Sequence, residues 1–350
     1  MKLRLLILII CVFFTGGAQA SLPKVAVVTT GGTIAQKEDP KTGGLVPAIS
    51  GSDLIDAVPG LAKLAEIDVV EVVNIDSSQM TPQIWSRVSE ALDKVLAKND
   101  IVGAVVTHGT DTMALGAYFL DLTIRSDKPV VMTGAMNDAG SADPDGPSNL
   151  LNAVYQVLSP HAQNWGVTVT LNSYINGARA VRKTWTTNLQ TFESGAQGYL
   201  GYIFDGEVTR LNDRLRRVRL GLPEGASSSL PKVPFISAYA GADGSLIRYV
   251  VDSGARGLVV EGVGAGNVNA SVFEAIQYAL QRDIPVVISS RVPRGAVRPV
   301  YGDAGGGKTL EEAGCILAGD LMGEKARLLL MLGVAHYGND AERLRTLFNS

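Results

Sequence analysis

The sequence predicts an α/β protein built from two α/β domains with largely parallel sheets. Short runs of β-branched and other apolar residues alternate with longer amphipathic stretches along most of the chain. This alternation is typical of parallel strands that are joined by crossover helices. The predicted strands are almost continuously apolar, which indicates burial on both faces. A chain of 350 residues can form two hydrophobic cores, so two domains are expected.

The strands of the N-terminal half are predicted from five apolar runs. They cover residues 24–30, 68–75, 102–108, 129–134 and 166–171. A helix is expected after the second strand, because Thr81 is a suitable N-cap and Pro82 suits the first helical turn. The core face of this helix is marked by apolar residues at helical spacing, namely Trp85, Val88, Leu92 and Leu96. The second domain is predicted from three strands and a helix, at residues 233–239, 257–263, 284–289 and 324–335.

The first twenty residues have the features of a secretory signal peptide. Lys2 and Arg4 precede an apolar run over residues 5–14, and Ala18-Gln19-Ala20 matches a small-x-small cleavage pattern. The apolar run is too short to span a bilayer. We therefore expect a periplasmic or secreted mature chain that begins near Ser21 and has no membrane contact after cleavage.

The expected domain boundaries follow from the places where the alternation of strands and helices stops. Residues 1–20 are the expected signal peptide, 21–208 the N-terminal domain, 209–232 a linker and 233–350 a smaller C-terminal domain. The linker begins with a charged stretch, which we interpret as a solvated or interface surface, with a phosphate site as the weaker alternative. The arginines of this stretch are Arg210, Arg214, Arg216, Arg217 and Arg219.

Charge and cysteine content narrow the classes of function. The formal net charge is −3, which argues against a nucleic-acid-binding surface because phosphates require a basic face. Cys11 lies in the expected signal peptide, so Cys315 has no disulfide partner in the mature chain and a cysteine-rich metal site is excluded. We expect a small-molecule substrate.

Four of the predicted strands end in segments that together supply glycines and side chains with hydroxyl or carboxylate groups. The segments at these ends are Thr30-Gly31-Gly32-Thr33, Asp76-Ser77-Ser78-Gln79, His108-Gly109-Thr110-Asp111 and Gly134-Ala135-Met136-Asn137. The carboxyl ends of parallel strands meet at one edge of the sheet, where ligands bind. Glycine allows close approach of the backbone and leaves N–H groups free to donate to a developing oxyanion. The sequence therefore predicts a site at this edge.

Thr33 is the candidate nucleophile of this site. A hydroxyl attacks only when a neighbouring group removes its proton. None of the three histidines stands in a Ser-His-Asp arrangement with these loops, and His108 is expected to be a buried structural residue. Thr110, Asp111 and a lysine remain as the activating group. Lys183 follows the fifth strand, although a lone lysine is ordinarily a surface residue.

Several longer motifs resemble the bacterial L-asparaginase family. They are TGGTIA from Thr30, THGTDTM from Thr107, KPVVMTGAM from Lys128 and DGPSNLLNAV from Asp145. The resemblance continues through Lys183-Thr184-Trp185-Thr186-Thr187, Leu200-Gly201-Tyr202, Gly262-Val263-Gly264, Ser289-Ser290-Arg291-Val292-Pro293 and Glu324-Lys325-Ala326-Arg327. It covers almost the whole mature chain. Together with the signal peptide, it points to the exported type II branch.

The resemblance implies an activity and an assembly. Members of the family hydrolyse asparagine, and often glutamine more slowly, without a cofactor. They are homotetramers of intimate dimers, in which a neighbouring subunit closes each active site. The resemblance implies that Thr33 is the nucleophile and that Thr110, Lys183 and Asp111 form a second catalytic group. It further implies that Ser77 and Asp111 bind the substrate carboxylate and ammonium. The expected substrate-binding set is completed by Gly32, Ser78, Gly109, Thr110, Ala135 and, from the partner subunit, Asn267.

Three departures from the family pattern concern the surroundings of Thr33. The stretch 41–47 lacks the tyrosine that the family places beside the nucleophile, and Ser78 stands where type II members have glutamine. A partner glutamate expected after Ser289-Ser290-Arg291 is replaced by the different and longer segment 298–303. Either Tyr301, Asp303 or another group replaces the missing proton relay, or the group formed by Thr110, Lys183 and Asp111 suffices.

Other functions remain open at this point. A periplasmic amino-acid-binding protein would also be exported, two-domain and α/β, and would need the two anchors but no reaction at Thr33. Nucleotide binding at Gly262-x-Gly264-x-Gly266 is disfavoured, because the glycine spacing misses the dinucleotide fingerprint. Within the enzyme class, a preference for glutamine or a D-amino acid and a catalytically weak homologue are further alternatives.

Overall fold

The computed structural model describes residues 21–47, 49–214 and 218–349. The expected signal peptide and two arginines of the charged stretch, Arg216 and Arg217, lie outside these residues. The strands of the N-terminal domain are β1 Lys24–Gly31, β2 Gln36–Glu38, β3 Leu45–Pro47, β4 Glu66–Ile75, β5 Ile101–Thr107, β6 Val130–Thr133, β7 Val167–Leu171, β8 Tyr174–Gly177, β9 Arg182–Lys183, β10 Phe192–Glu193, β11 Gly201–Phe204 and β12 Glu207–Arg210. Its helices are α1 Gly51–Asp56, α2 Pro82–Leu96, α3 Met113–Thr123 and α4 Gly146–Leu158.

The C-terminal domain contains a second, smaller sheet. Its strands are β13 Phe235–Ser237, β14 Leu258–Gly262, β15 Val286–Ser290 and β16 Ile316–Leu317. They pair in chain order and are all parallel. Its helices are α5 Ser245–Asp252, α6 Ala270–Leu280, α7 Gly307–Glu312, α8 Gly323–Tyr337 and α9 Ala341–Phe348. The two α/β domains with largely parallel sheets confirm the predicted fold class.

The large sheet of the N-terminal domain has eight strands among the described residues. Their order is β12-β11-β8-β7-β6-β5-β1-β4. The five strands from β4 to β7 pair in parallel, whereas β8, β11 and β12 extend the sheet in antiparallel fashion. The chain passes from β1 to β4 on one side and then to β5 on the other, so the strand order reverses beside β1. Ligands of open α/β sheets bind at such a switch point.

The predicted elements form where their sequence patterns place them. The apolar residues of β1 are fully buried, as expected for a strand covered by helices on both faces. The Thr81 hydroxyl accepts a hydrogen bond from the Ile84 N–H at 3.3 Å, and Pro82 opens α2. The face of α2 that was expected in the core is buried. The antiparallel extension from β8 to β12 was not predicted.

The predicted linker is packed against the N-terminal domain at its start. Strand β12 runs through residues 207–210 and therefore crosses the expected boundary at 208/209. The Arg210 guanidinium lies 4.8 Å from the ring centroid of Trp165 and pairs with Asp213. Arg219 donates to the Arg125 carbonyl at 3.0 Å and pairs with Asp127. These arginines stabilise local surface structure by contacts with the protein itself.

The two domains share one continuous hydrophobic core. Residues of α3 and of β5 belong to the same buried cluster as residues of α8 and of β14. Helix α8 contacts both α3 and the small sheet. Among the described residues, no helix combines the length and the apolar character that a membrane span requires. The shared core brings the base of the C-terminal domain close to the segment that follows β8.

Candidate active site

Three loops meet at the carboxyl edge of the large sheet, after β1, β4 and β5. A Cβ atom built on Gly109 would lie 2.7 Å from Ser77 Oγ and 3.2 Å from Gly32 Cα. A Cβ on Gly32 would overlap the backbone of Gly109. Only glycine permits this approach, because any side chain would separate the loops. The structure thus brings together Gly32, Ser77 and Gly109 at the switch point of the sheet.

Thr33 begins a short 3₁₀ turn directly after the two glycines. Gly31 and Gly32 have φ angles of +95° and +87°, a region that residues with a side chain rarely adopt. Thr33 is half-buried and opens the 3₁₀ helix Thr33–Ala35. The Gly32 N–H donates to the Ile75 carbonyl at 3.1 Å. This N–H is therefore occupied, which differs from the expectation that the glycines leave their N–H groups free.

A β-hairpin follows Thr33 and forms a flap beside the site. Strands β2 and β3 pair antiparallel, with Gln36 opposite Pro47. The Ile49 N–H donates to the Ala35 carbonyl at 3.1 Å, which closes the hairpin at its base. The stretch that lacks the family tyrosine forms the turn and the second strand of this hairpin. The missing tyrosine therefore concerns the flap, whereas the departure at Ser78 lies in the turn after β4.

Lys183 connects the residues that follow Gly109. Its Nζ atom donates to Thr110 Oγ1 at 2.9 Å and to Asp111 Oδ1 at 2.7 Å. Thr110 is buried, Asp111 is exposed, and the Lys183 side chain is 19 % exposed. Lys183 is held by β9, whose backbone pairs with Phe192 of β10. The sequence left this lysine between a surface and a site position, and the structure places it in the site.

His108 is buried beside the same loop and is fully hydrogen-bonded. The Trp85 Nε1–H donates to His108 Nε2 at 3.1 Å, so Nε2 is an acceptor. Nδ1 lies 2.7 Å from the Gly109 carbonyl and must be the donor there, which makes the ring neutral. Burial lowers the pKa of His108 to about 4. The imidazole thus supports Gly109 and has no free nitrogen for a substrate, which agrees with the structural role predicted for it.

Ser77 and Ser78 differ in their surroundings. Ser77 is buried, and its carbonyl accepts from Thr112 Oγ1 at 2.8 Å, which joins the loops after β4 and β5. Ser78 is exposed, and its N–H donates to Asp76 Oδ1 at 2.9 Å. Of the two serines, Ser77 is the one that contacts the glycine pair. Ser78 contributes mainly to the turn after β4.

Asp76 is a site residue that the sequence reasoning did not single out. Hydrogen bonds from Ser78 hold the pKa of Asp76 below its usual value, and the positive charge of Lys183 acts in the same direction. Gln36, which is buried at the base of the flap, donates to Asp76 Oδ2 at 3.4 Å. Asp76 therefore links the flap to the turn that carries Ser77. Its position as an acidic residue directly before two serines, where it caps a helical turn, was the available signal.

The loop after β6 is held by a carboxylate from α4. Asp145 accepts from the backbone N–H groups of Met136, at 3.0 and 3.1 Å, and of Asn137, at 2.9 Å. Asn149 donates to Asp145 Oδ2 at 2.9 Å and to the Gly134 carbonyl at 3.0 Å. Ala135 is buried within this loop. These bonds explain why Asp145 and Asn149 stand four residues apart in the motif DGPSNLLNAV.

Asn267 lies in the C-terminal domain. Its backbone pairs with Val263, and its Oδ1 accepts from the Gly307 N–H at 3.3 Å. Asn267 is thus held by the loops of the small sheet and not by those that carry Thr33 and Thr110. Tyr301 and Asp303 belong to the neighbouring loop of the same domain, and both are exposed. Among the described residues, no three His, Cys, Asp or Glu side chains are placed to hold a metal ion.

The glycines at 262, 264 and 266 form a tight turn. Gly264 and Gly266 have φ angles of +53° and +102°, and the Gly266 N–H donates to the Val263 carbonyl at 3.0 Å. A Cβ on Gly266 would lie 2.5 Å from Val297 Cγ1. The turn is closed by contacts with the protein itself. This accounts for the glycines without a nucleotide.

Comparisons with known proteins agree with the fold and with the motifs. The family described as "Asparaginase, N-terminal" matches residues 24–216, and the "Glutaminase/Asparaginase C-terminal domain" matches residues 232–348. "L-asparaginase 2" of Escherichia coli is 38% identical over 339 residues, covering 95% of this chain and 94% of that protein. "Probable L-asparaginase periplasmic" of Haemophilus influenzae is 37% identical and covers 95% of each chain.

A solved structure also resembles this chain in fold and in sequence. The crystal structure of a probable cytoplasmic L-asparaginase from Campylobacter jejuni has a TM-score of 0.84 and 38% sequence identity. The match covers 94% of this chain and 99% of that chain. Both family domains occur in the expected order, and the relatives are matched over nearly their full length. The chain therefore belongs to the asparaginase family.

Proposed function

We propose that this protein hydrolyses the side-chain amide of L-asparagine to L-aspartate and ammonia, with Thr33 as the nucleophile. The observation that carries the proposal is the bonding of Lys183 Nζ to both Thr110 and Asp111. This group follows Gly109 directly, and Gly109 packs on Gly32, the residue before Thr33. The names of the relatives, L-asparaginase 2 and probable L-asparaginase periplasmic, support the same reaction.

The first half of the reaction forms an ester and releases ammonia. Thr33 Oγ1 attacks the amide carbon, and the hydroxyl proton passes by way of Thr110 to Lys183, which acts as the base. The Asp111 carboxylate, 2.7 Å from Nζ, stabilises the ammonium that results. When the C–N bond breaks, Lys183 returns the proton to the leaving nitrogen, which departs as ammonia. The aspartyl group is then bound to Thr33 as an ester.

The second half uses water in place of the hydroxyl. Water attacks the ester carbon and loses its proton to the same group, and the Thr33 oxygen leaves as a restored hydroxyl. The oxyanion formed in each half needs a backbone donor. Since the Gly32 N–H already donates to the Ile75 carbonyl, we assign the stabilisation of the oxyanion to the N–H groups of Gly109 and Thr110.

The substrate is held by one anchor of each sign. Ser77, buried against Gly109, is assigned to the α-carboxylate, and Asp111 to the α-ammonium. Gly32, Ser78 and Ala135 complete the wall of the site on this chain. Holding the amino acid at both ends makes the attack by Thr33 effectively intramolecular. Side activity on glutamine requires room for one more methylene between these anchors and Thr33.

The missing flap tyrosine leads us to assign proton transfer to Thr110, Lys183 and Asp111. This group is assembled within one chain, whereas Tyr301 and Asp303 are exposed on a loop of the C-terminal domain. The alternative that Tyr301 takes part is tested with Tyr301→Phe. Turnover by this variant within twofold of the wild type is the result that our assignment requires.

The central experiment measures ammonia release from L-asparagine and L-glutamine. Thr33→Ala and Lys183→Met are each expected to lower kcat by about 10⁴-fold or more, because both take part in the covalent steps. Thr42→Ala, on the turn of the flap, and Lys98→Met, which breaks an ion pair with Asp68, are the matched controls. A Thr33→Ala protein that still releases ammonia at the wild-type rate removes the proposal.

Calorimetry with L-asparagine separates an enzyme from a binding protein. An amino-acid-binding protein would bind L-asparagine without releasing ammonia, and Thr33→Ala would leave its affinity unchanged. The proposed enzyme shows ammonia release that depends on Thr33. A turnover that is measurable but far below that of the relatives, and still depends on Thr33, identifies a catalytically weak homologue.

We further propose that the protein is exported and works as a homotetramer. A relative named as periplasmic supports export, whereas the solved structure carries the name of a cytoplasmic protein. N-terminal sequencing of periplasmic protein is expected to begin near Ser21. In a tetramer of intimate dimers, Asn267 of one copy would face the site of another. Mass photometry and Asn267→Ala, which should raise KM without lowering the fraction of tetramer, test this arrangement.

A further inference from the structure

Lys325 is a lysine of helix α8 that is completely buried. Its exposed fraction is 0 %, and it is among the largest fully buried side chains of the described residues. A charged lysine is almost never buried unless it is paired or its donors are satisfied. Burial lowers the pKa of Lys325 well below its usual value, and the charges of Arg182 and Arg179 act in the same direction. A residue so unfavourable in a core needs a specific explanation.

The contacts of Lys325 account for all three of its donors. Nζ donates to the carbonyl oxygens of Ala178 at 2.7 Å, of Arg179 at 3.1 Å and of Val181 at 2.7 Å. It also lies 5.7 Å from the centroid of the Tyr118 ring. A neutral amine has two N–H bonds, so only the ammonium can donate to three carbonyls. The geometry therefore favours the charged form in spite of burial.

The three carbonyls belong to the segment that leads into β9. Residues 178–181 connect β8 to Arg182–Lys183. Apart from the bonds to Lys325, Arg179 of this segment pairs with Asp320 of the C-terminal domain at 2.7 Å. Among the described residues, strand β9 is two residues long, lies outside the large sheet and pairs with β10. So short a ribbon needs contacts beyond its own pairing to fix its position, and these are the burial of Val181 and Phe192 in the core and the bonds to Lys325. The cluster of bonds to Lys325 begins five residues before Lys183 and ends two residues before it.

We infer that Lys325 is a positioning residue that fixes Lys183 against Thr110 and Asp111. The inference rests on the role proposed above for Lys183. Lys325 comes from the C-terminal domain and does not touch the site, so each chain uses its own second domain to set the geometry of its first. A displacement of about 1 Å in a catalytic group can lower turnover by about 100-fold.

The inference is tested by variants of two residues on the same helix. Lys325→Met keeps an unbranched side chain that is one heavy atom shorter and removes all three donors, and Lys325→Arg keeps the charge and several donors. Arg327→Met is the matched control, because Arg327 donates to the Val233 carbonyl at 2.8 Å and not to residues 178–181. We expect Lys325→Met to lower kcat about 100-fold, Lys325→Arg to recover at least tenfold of that loss, and Arg327→Met to stay within threefold of the wild type.

A double-mutant cycle separates positioning from general destabilisation. Lys325→Met is combined with Lys183→Arg, a variant expected to keep residual activity, and kcat is corrected for the folded fraction measured by near-UV circular dichroism. If Lys325 acts through Lys183, adding Lys325→Met to the Lys183→Arg protein changes kcat by less than threefold. A 100-fold loss in both backgrounds overturns the inference, and so does a Lys325→Met protein with wild-type kcat.

Two further outcomes are distinguishable. If Lys325→Met does not fold, Lys325→Gln, which keeps two N–H donors, replaces it in the same cycle. The results that support or overturn the inference are then the same as for Lys325→Met. If Lys183→Met retains full turnover, the proposed function of Lys183 fails by itself. In that case the double-mutant cycle cannot show coupling between Lys325 and Lys183, and the positioning role of Lys325 is also refuted.

Discussion

His108 should make the protein sensitive to acid in a way that can be calculated. The native structure keeps the ring neutral, with Trp85 donating to Nε2 and with Nδ1–H donating to the Gly109 carbonyl. Its pKa is lowered from 6.5 to about 4 by burial. In the unfolded chain the ring titrates near its ordinary value. Between these two pKa values the unfolded state therefore binds a proton that the native state refuses.

The sign and size of the effect follow from linkage. Stability due to the neutral ring is fully present above pH 6.5 and is lost as the pH falls towards 4, because only the unfolded state gains the proton. A difference of about 2.5 pKa units corresponds to about 3 kcal/mol in full, of which about 2 kcal/mol is lost between pH 7 and pH 5. Protonation also removes the acceptor for Trp85 and so disturbs the turn that carries Gly109.

The assay compares urea unfolding of the wild type and of His108→Gln at pH 7 and pH 5, followed by tryptophan fluorescence. Glutamine offers an amide NH₂ group as donor and a carbonyl oxygen as acceptor but does not titrate in this range. Carboxylates elsewhere affect both proteins equally, so their contributions cancel in the difference. We expect the wild type to lose about 2 kcal/mol more than the variant. Equal losses in both proteins would refute the reasoning, since they would show that His108 has similar pKa values in the two states.

Two further predictions concern the loops of the site. Gly109→Ala would place a Cβ 2.7 Å from Ser77 Oγ, so we expect kcat/KM for L-asparagine to fall by about 100-fold through displacement of Ser77, the proposed carboxylate anchor. Gly60→Ala, whose Cβ would make only an ordinary 3.4 Å contact, should change kcat/KM by less than twofold. Asp145→Ala leaves two backbone N–H groups without their acceptor, and we expect urea unfolding to show a loss of about 2–4 kcal/mol. Asp143→Ala, at an exposed position nearby, should cost less than about 1 kcal/mol.

The parallel part of the fold could be predicted because its sequence signal is strong. A strand covered on both faces, such as β1, must be apolar along its length, and this pattern is visible without a structure. Strands β8, β11 and β12 carry mixed patterns, since one of their faces is more exposed, and β9 is two residues long. Their pairing is decided by contacts between distant segments. The antiparallel extension and the boundary near residue 208 were therefore beyond reach.

The candidate site also contains residues that the sequence could predict and residues that it could not. Glycine, serine and threonine at the ends of adjacent strands predicted that Gly32, Ser77 and Gly109 would meet, because topology alone brings these ends together. Lys183 was recognised mainly through the resemblance, since one lysine after a strand carries little information. Asp76 and Lys325 were missed. In the sequence, Asp76 looks like part of a turn. The burial of Lys325 depends on a contact between the two domains, which no local pattern encodes.

The structure also narrows the choice of the base in the proposed attack by Thr33. The sequence contains three histidines, and each has another place in the fold. His108 uses both ring nitrogens within the core, His161 lies exposed in the turn after α4, and His336 lies 3.1 Å from the Gly221 carbonyl near the end of α8. A hydroxyl nucleophile at this sheet edge must therefore give its proton to a group other than imidazole. Lys183, bonded to the Thr110 hydroxyl and largely shielded from water, has the position of the base that we propose, and the inferred anchoring by Lys325 would act on the reaction through it.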